Sequence, residues 1–431
     1  MLQKKKGILI FVILALTLAG IFVGRWTVAS VSAQSSYEEL RTFTEVLMMI
    51  KKNYVDEVKT KDLIAGAIKG MVVSLDPHSG YMTPDSFKEL QVETKGEFGG
   101  LGIQIGVKDA VLTVIAPIED TPAYKAGLKA GDKIIKIAGE LTKNMSITDA
   151  VSKMRGAKGT SITLSIIRED WKEPKDFTLV RDTIKIKSVK AKMIDSVIGY
   201  IKLTQFQEST ASDLSAALKS LKKDGMASLI LDLRNNPGGL LNSAVEVSEQ
   251  FLPPKKLVVY IKGRNGDKVE YSTEGNTPYY TDMPMVVLVN QGSASASEIV
   301  AGALKDWNRA VVIGVQTFGK GSVQSLIPLS DGSGLRLTTA KYYTPKGVSI
   351  QSVGISPDIV VKLETKDGKG NHTVIREKDL ERHLKNESLP EGPDEKETAP
   401  LEVEEKDDLQ LQRAIDTLKT WKVFEKFNKA A

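Results

Sequence analysis

The residues best suited to chemistry are serines and a lysine in the second half of the chain. Three serines, Ser293, Ser295 and Ser297, lie in a turn of small residues. The apolar run 285–289 before the turn predicts a buried strand, and 298–307 after it predicts a helix. A serine at such a turn lies beside the unpaired N–H groups of a helix N-terminus, which can hold a developing oxyanion.

A lysine between two glycines, Lys320, follows the next apolar run, 310–315. We expect this lysine on the neighbouring strand, from which it can reach the serine turn across a parallel pair. Only a neutral amine can act as a base, and at pH 7 about one free lysine in 2,500 is neutral. Lowering its pKa by about 3 pH units, mainly through burial, corresponds to about 4 kcal/mol. The pattern indicates a serine–lysine nucleophile site.

Three other interpretations of this stretch stay open on the residues alone. Residues 295–298 fit the S-x-x-E capping box, which needs no catalytic role. Residues 314–321 match a phosphate-binding loop up to its lysine, but Gly321 stands where that loop needs a serine or threonine to hold magnesium. A Ser–His–Asp triad would have to recruit His78 from far upstream, because the other two histidines lie in a charged segment.

Composition and the N-terminus limit the function classes. A chain of 431 residues suffices for about three domains, and a net charge of +5 gives no case for nucleic acid. The absence of cysteine excludes a thiol nucleophile, disulfides and thiolate metal sites, and we expect no metal or cofactor. Lysines at 4–6 and the apolar run 7–24 predict an export signal or one retained membrane anchor over 1–33. Either places the rest in the periplasm or elsewhere outside the cytoplasm.

The remaining patterns divide the chain into successive segments. Helical spacing predicts an N-terminal helical segment over 34–91, and a C-terminal helix over 409–431 that docks on the body of the protein or on a second subunit. Strands alternating with helices over 183–362 predict an α/β core with a largely parallel sheet. Charge and proline over 363–408 predict a linker or mobile surface.

A glycine pair, Gly238 and Gly239, lies between the predicted strand 229–233 and the predicted helix 240–251. Backbone N–H groups exposed there suit an oxyanion, although a tight turn that needs positive φ has the same sequence pattern. Together with the N–H of Ala296, these groups are the candidates for an oxyanion hole.

Short β-like runs and glycine-rich loops fill residues 92–182. Their order, a G-L-G-I loop followed by P-A-x-x-A-G-L and G-D-x-I, resembles a PDZ domain. The resemblance implies that peptide C-termini bind in a groove lined by Leu101, Gly102 and Ile103. Arg155 ends the helix expected to flank the groove. A surface salt bridge or a helix-end charge is one explanation for it, and a regulatory contact with the catalytic domain is the other.

Taken together, the motifs resemble the carboxyl-terminal processing peptidase family of exported serine proteases. The resemblance rests on the helical N-terminal part, the PDZ pattern, D-L-R-N-N-P-G-G at 232–239, the turn 292–298 and G-K-G-S-V-Q at 319–324. It implies a multidomain α+β fold. A PDZ domain would be inserted between an N-terminal helical segment and an α/β peptidase core with crotonase- and Clp-protease-like features.

The resemblance also implies roles for particular residues. Ser295 matches the nucleophile, Lys320 the general base and Gln324 the residue that orients the lysine. In an extended stretch Gln324 would share a sheet face with Lys320, and its amide oxygen can accept a hydrogen bond without adding a negative charge. Asp232 and Arg234 are expected to be structural.

The predicted function is an exported serine endopeptidase that recognises substrate C-terminal tails through its PDZ domain and cleaves through an acyl-enzyme. Two other classes remain: a catalytically silent peptide-binding scaffold, and a crotonase-like enzyme acting on an acyl thioester. The candidate partners are protein or peptide substrates, a second copy of the chain through the terminal helices, and an adaptor protein.

Overall fold

The computed structural model describes residues 37–108, 111–143, 145–275, 279–362, 371–386, 398–400 and 407–430. The predicted export signal, 1–33, lies outside these residues. Within the described part of the chain, no helix is long and apolar enough to cross a membrane. The chain divides into two compact units, 1–74 and 75–431.

The first unit contains helix α1 (37–53) and helix α2 (Thr60–Val73). Both were predicted from apolar residues at helical spacing. Apolar side chains of α1 are exposed in this chain, including Leu40, Phe43 and Val46.

The second unit holds the remaining described elements. Its helices are α3 (Pro84–Lys95), α4 (Pro122–Lys125), α5 (Ile147–Met154), α6 (Thr210–Lys223), α7 (Leu241–Glu249), α8 (Ala296–Asp306) and α9 (Leu409–Ala430), with a 3-10 turn at Glu377–Asp379. Its strands are β1 (Gly80–Met82), β2 (Glu97–Gly100), β3 (Ile103–Lys108), β4 (Val111–Pro117), β5 (Lys133–Ile137), β6 (Glu140–Leu141), β7 (Ser161–Ile167), β8 (Lys175–Val180), β9 (Asp182–Lys185), β10 (Val189–Met193), β11 (Ile198–Leu203), β12 (Ser228–Asp232), β13 (Leu257–Gly263), β14 (Lys268–Ser272), β15 (Met285–Val289), β16 (Val311–Gly314), β17 (Ser322–Pro328), β18 (Gly334–Tyr343), β19 (Ile359–Val360), β20 (Asn371–Thr373) and β21 (Thr398–Pro400).

The glycine-rich middle segment folds as its own antiparallel sheet in the order β3-β4-β5-β7-β8, with β6 paired to β5. Its core is a separate apolar cluster that includes Val114, Ile134 and Leu164. Strands β2 and β9 pair at the two ends of this segment, so the chain enters and leaves it through one short ribbon.

The largest core surrounds a six-stranded sheet in the order β10-β11-β12-β15-β16-β19. The strands from β11 to β19 are parallel, and β10 is antiparallel at the edge. Every residue of β12 and β15 is buried, as expected for strands covered on both faces. The predicted α/β core is confirmed, and β15 has the predicted bounds.

A second sheet, not predicted as such, is antiparallel in the order β1-β18-β13-β14, with β17 paired to β18. The chain crosses from the first sheet to the second through the loop 315–321. Lys320 lies in this loop, so the prediction that it lies on the neighbouring strand was wrong. The strand that this apolar run forms, β16, ends at Gly314, six residues before the lysine.

The charged segment 363–408 is not a simple linker in its described parts. Arg376, Glu377 and Asp408 are buried there. Arg376 donates hydrogen bonds to the carbonyls of Gln316 and Thr317, at 2.7 and 2.8 Å. Charged composition predicts exposure, but these groups find partners in the body of the protein, which composition alone does not show.

Helix α9 docks on the parallel sheet through its first half. Leu411, Ala414 and Leu418 are buried in the cluster that contains Ile230 and Leu288 of the sheet. The predicted docking of this amphipathic helix is therefore confirmed. Two apolar residues further along the helix, Trp421 and Phe424, are exposed.

Candidate active site

Ser295 lies at the carboxyl end of β15, at the turn into α8. Its backbone has φ 55° and ψ −112°, a conformation that a residue with a side chain rarely adopts. The residue is 7% exposed. Strained backbone held by its surroundings is common at functional sites, and here the strain falls on a hydroxyl-bearing residue.

The two flanking serines have structural partners. Ser293 Oγ donates to the carbonyl of Leu233 at 2.8 Å, and Ser297 Oγ donates to the carbonyl of Asn236 at 2.9 Å. Both side chains are fully buried. Each ties the turn to the loop that follows β12, which leaves Ser295 as the serine whose hydroxyl is suited to chemistry.

Glu298, in the first turn of α8, joins the serine turn (292–298) to the lysine loop (315–321). Its Oε2 accepts the backbone N–H groups of Ser295 at 2.7 Å and Lys320 at 3.0 Å. Its Oε1 accepts the N–H of Gly319 at 2.7 Å and the hydroxyl of Thr317 at 2.5 Å. A single carboxylate thus holds the main chains of Ser295 and Lys320 together.

The capping-box interpretation of 295–298 is therefore correct but incomplete. The glutamate half of the box is formed, since Glu298 accepts the N–H of Ser295, and its carboxylate also binds residues 19 to 22 positions further along the chain. Burial raises the pKa of Glu298 to about 7, although all four hydrogen bonds act in the other direction. Sequence reasoning missed this second role because a local pattern explains the glutamate completely.

Lys320 has an environment suited to a neutral amine. Burial lowers its pKa, and the nearby Arg336 guanidinium acts in the same direction. The carboxylates of Glu377, Glu298 and Asp76 oppose this effect. Among the hydrogen bonds of the described residues, none joins Lys320 Nζ to Ser295 Oγ in this conformation.

Gln324 lies on β17, two residues into the second sheet. Its amide nitrogen donates to Ser322 Oγ at 3.0 Å and to Thr338 Oγ1 at 3.3 Å. The ladder shifts register between Val323 and Gln324, so counting strand steps from Lys320 does not apply. No hydrogen bond between Gln324 and Lys320 is found in the described structure.

The glycine loop after β12 lies directly against the serine turn. Gly238 has φ 104°, and a Cβ built on it would lie 2.9 Å from the Cβ of Ser295. Gly239, at φ 144°, packs against the carbonyl of Phe206 in a parallel bridge. Only glycine allows both positive φ and this close approach.

Hydrogen bonding distinguishes the three N–H groups that were predicted to form the oxyanion hole. The N–H of Gly238 donates to Asn236 Oδ1 at 2.9 Å and is occupied in this conformation. The N–H groups of Gly239 and Ala296 have no hydrogen-bond partner among the described residues. These two donors therefore fit a developing oxyanion better than the N–H of Gly238.

Asp232 and Arg234 brace the start of the same loop. Arg234 Nη2 binds Asp232 Oδ2 at 2.6 Å, and its Nη1 binds Asp408 Oδ1 at 2.8 Å. Burial alone would lower the pKa of Arg234, but the hydrogen bonds and charges of both carboxylates raise it. Asp408 also accepts the N–H of Leu411 at 3.0 Å, which ties the start of α9 to this loop.

His78 does not complete a triad with Ser295. Its Nε2 lies 2.7 Å from Glu377 Oε2, and no hydrogen bond of His78 reaches a serine of the turn 292–298 in the described structure. Its loop is held by Asp76, which accepts the N–H groups of His78 and Ser79 at 2.8 and 2.9 Å.

A groove lies beside β3 and α5, at the place where peptide binding is predicted. It has a volume of about 200 Å³ and is lined by Phe98, Gly100, Leu101, Gly102, Ile103, Ile105, Ile147, Val151, Met154 and Arg155. Arg155 pairs with Glu89 of α3 at 2.5 Å and stacks over Phe98, 4.8 Å from the ring centre. Among the described residues, Arg155 makes no hydrogen bond or ion pair with the loops around Ser295, so the predicted contact with the catalytic domain is not formed in this conformation.

Comparison with known proteins identifies the chain's family. Three family models match: Peptidase family S41 over 197–361, the activating protease CtpB N-terminal domain over 25–86, and a PDZ domain over 113–168. A carboxy-terminal-processing protease of Bartonella bacilliformis is 43% identical over 407 residues, 93% of each chain. The chain belongs to the carboxy-terminal processing proteases.

Two further relatives of this processing protease extend the comparison. The carboxy-terminal processing protease CtpA of Bacillus subtilis is 38% identical over 333 residues, 77% of this chain and 71% of the relative. The structure of a photosystem II D1 C-terminal processing protease is 32% identical, with a TM-score of 0.43, over 74% of this chain and 92% of that one.

The predictions of a serine-type peptidase, a PDZ domain and an N-terminal segment before it are confirmed by these matches. The peptidase model ends at residue 361. It includes Ser295, Lys320 and Gln324, and it stops before Glu377 and α9.

Proposed function

We propose that this processing protease is an endopeptidase in which Ser295 is the nucleophile and Lys320 the general base. The observation that carries the proposal is the sharing of Glu298 Oε2 by the N–H groups of these two residues. The serine is on a strained turn, its two neighbours have structural partners, and burial lowers the pKa of the lysine.

The reaction begins when the neutral amine of Lys320 accepts the Ser295 hydroxyl proton and the oxygen attacks a peptide carbonyl. The oxyanion accepts hydrogen bonds from the N–H groups of Ala296 and Gly239. The lysine ammonium then donates its proton to the leaving amine. The neutral amine of Lys320 next takes a proton from a water molecule, whose oxygen attacks the acyl-enzyme ester. When the ester bond breaks, the lysine ammonium returns this proton to Ser295 Oγ.

The resting geometry requires one movement before catalysis. The amine of Lys320 must come within hydrogen-bond distance of Ser295 Oγ, a contact that often tightens only when substrate is bound. Gln324 keeps the orienting role in this proposal, because its amide oxygen can accept from the lysine once that movement has occurred. The loop position of Lys320, between two glycines, permits the change.

The PDZ groove supplies substrate selection in this proposal. The loop N–H groups near Leu101 and Gly102 suit a terminal carboxylate, and the edge of β3 suits an added peptide strand. Arg155 lines the same groove and is the candidate through which tail binding acts on the enzyme. Export follows from the apolar N-terminal run, and the exposed face of α1 and the end of α9 are candidate surfaces for a second copy or an adaptor.

The test compares wild type with Ser295→Ala and with a variant lacking residues 92–182. Each protein is assayed on two substrates: an unstructured protein with a free C-terminal tail, and a short unstructured peptide. Cleavage by wild type and its loss in Ser295→Ala are expected, and removal of the PDZ segment should sharply change turnover. If wild type and Ser295→Ala are equally inert on all substrates, the peptide-binding scaffold replaces this proposal. Coenzyme A binding would instead favour the acyl-thioester enzyme.

A further inference from the structure

A buried carboxylate from the C-terminal segment lies beneath the lysine loop. Glu377 is fully buried, and its backbone N–H donates to the carbonyl of Phe318 at 3.1 Å. Its Oε1 accepts from Gln351 Nε2 at 2.9 Å, and Gln351 Oε1 accepts the N–H of Gly321 at 3.0 Å. Glu377 is thereby connected to the chain on both sides of Lys320.

The other oxygen of the Glu377 carboxylate binds a residue near the start of the second unit, 75–431. Glu377 Oε2 lies 2.7 Å from His78 Nε2, across 299 positions of sequence. The carbonyl of His78 accepts from Arg336 Nε at 2.8 Å. Glu377 therefore links the His78 loop, the lysine loop and its own segment into one buried cluster.

The charged groups around Lys320 come from four different elements. Glu298 belongs to α8, Arg336 to β18, and Asp76 to the loop before β1; Glu377 comes from the C-terminal segment. Glu377 is the first of the three carboxylates that oppose the lowering of the Lys320 pKa. Arg376, the neighbour of Glu377, binds backbone carbonyls of the same loop.

We propose that Glu377 is a positioning residue for Lys320, which holds the lysine loop through Phe318 and Gln351 and sets the charge facing the amine. This inference rests on the proposed role of Lys320 as the base. It adds a residue outside the segment matched by the peptidase model, 197–361, to the machinery of the site.

The proposal separates a charge effect from a shape effect. Glu377→Gln keeps the size of the side chain and removes the negative charge, so the Lys320 amine should lose its proton at lower pH. The shift is downward because the lost carboxylate charge favours the ammonium form of the lysine. Glu377→Asp keeps the charge but shortens the side chain, so kcat/KM should fall about tenfold without a shift.

The experiment measures the amine directly as well as the activity. Trace acetylation of Lys320 by acetic anhydride, followed by peptide mass spectrometry over a range of pH, gives the titration of this amine whether or not the protein cleaves peptides. The pH dependence of kcat/KM is measured on the same proteins. Glu381→Gln is the matched control, because it removes an exposed carboxylate from the same segment.

The inference predicts an acetylation midpoint that moves down in Glu377→Gln and stays at the wild-type value in Glu381→Gln. An unchanged midpoint in Glu377→Gln, with only a lower melting temperature, overturns it. If Glu377→Gln does not fold, wild-type kcat/KM and an unchanged labelling rate in Glu377→Asp overturn it instead. A shifted midpoint in a protein that cleaves nothing would support this inference while refuting the proposed function.

Discussion

Replacing Glu298 by alanine tests how one buried carboxylate organises the site. In the folded protein this side chain is fully buried and accepts four hydrogen bonds, from Ser295, Thr317, Gly319 and Lys320. Alanine leaves all four donors buried without this acceptor. Glutamine can satisfy only part of them, since its amide group turns two accepting positions into donors.

The magnitude follows from the number of donors. At a lower limit of about 1 kcal/mol for each buried unpaired donor, Glu298→Ala should lower the free energy of unfolding by at least about 4 kcal/mol. A displacement of about 1 Å between nucleophile and base costs about 100-fold in rate. We therefore expect kcat/KM to fall at least about 100-fold in Glu298→Ala, and less in Glu298→Gln.

The same carboxyl group makes stability depend on pH. Its pKa in the folded protein is about 7, above the ordinary value of 4.5, so the folded state binds the proton more tightly. The resulting stabilisation is fully present below about pH 4.5 and is lost as the pH rises through 7. Between pH 5 and pH 8 the melting temperature of wild type should therefore fall more than that of Glu298→Gln.

The assays are peptide cleavage and thermal unfolding at both pH values. Thr83→Ala is the control, because it removes only a helix cap, on α3, and should cost about 1 kcal/mol with unchanged cleavage of a short peptide. If Glu298→Ala loses no more activity than Thr83→Ala, the shared carboxylate does not organise the site.

Three further variants test the surrounding structure. Arg234→Ala leaves two buried carboxylates without their partner, and we expect a loss of about 3–5 kcal/mol in thermal unfolding; an unchanged melting temperature would contradict the buried network. Gly238→Ala places a methyl group against Ser295 and should reduce kcat/KM by at least about 100-fold, whereas wild-type activity would show that the loop moves freely. Arg336→Gln removes a charge that lowers the Lys320 pKa, so the rise of kcat/KM with pH should move to higher pH; a move to lower pH would reverse the electrostatic argument.

Local patterns predicted the elements that carry the site. The apolar run 285–289 is β15, and the small-residue turn after it leads into α8 as expected. The close packing of Gly238 and Gly239 could also be predicted from the sequence, because glycines between a strand and a helix indicate an unusual backbone. These features follow from periodicity and from the stereochemistry of single residues.

Contacts between residues far apart in the chain could not be predicted from the sequence in this way. The bond from His78 to Glu377 joins residues 299 positions apart, and Asp408 reaches Arg234 across 174. The composition of 363–408 predicted a solvated linker. Composition does not distinguish charged residues that are buried with a partner from charged residues that are exposed. Lys320 was assigned to a strand because the crossing from one sheet to the other leaves no periodic signal.

The central claim is that a neutral Lys320 activates Ser295, and covalent labelling tests it most directly. A fluorophosphonate reagent is applied over a range of pH, and the modified residue is identified by peptide mass spectrometry in wild type and Lys320→Met. The account predicts modification of Ser295 at a rate that rises with deprotonation of a group whose pKa lies below 10.5, and no modification in Lys320→Met. Modification of Ser293 or Ser297, or equal labelling of Ser295 in Lys320→Met, would contradict it.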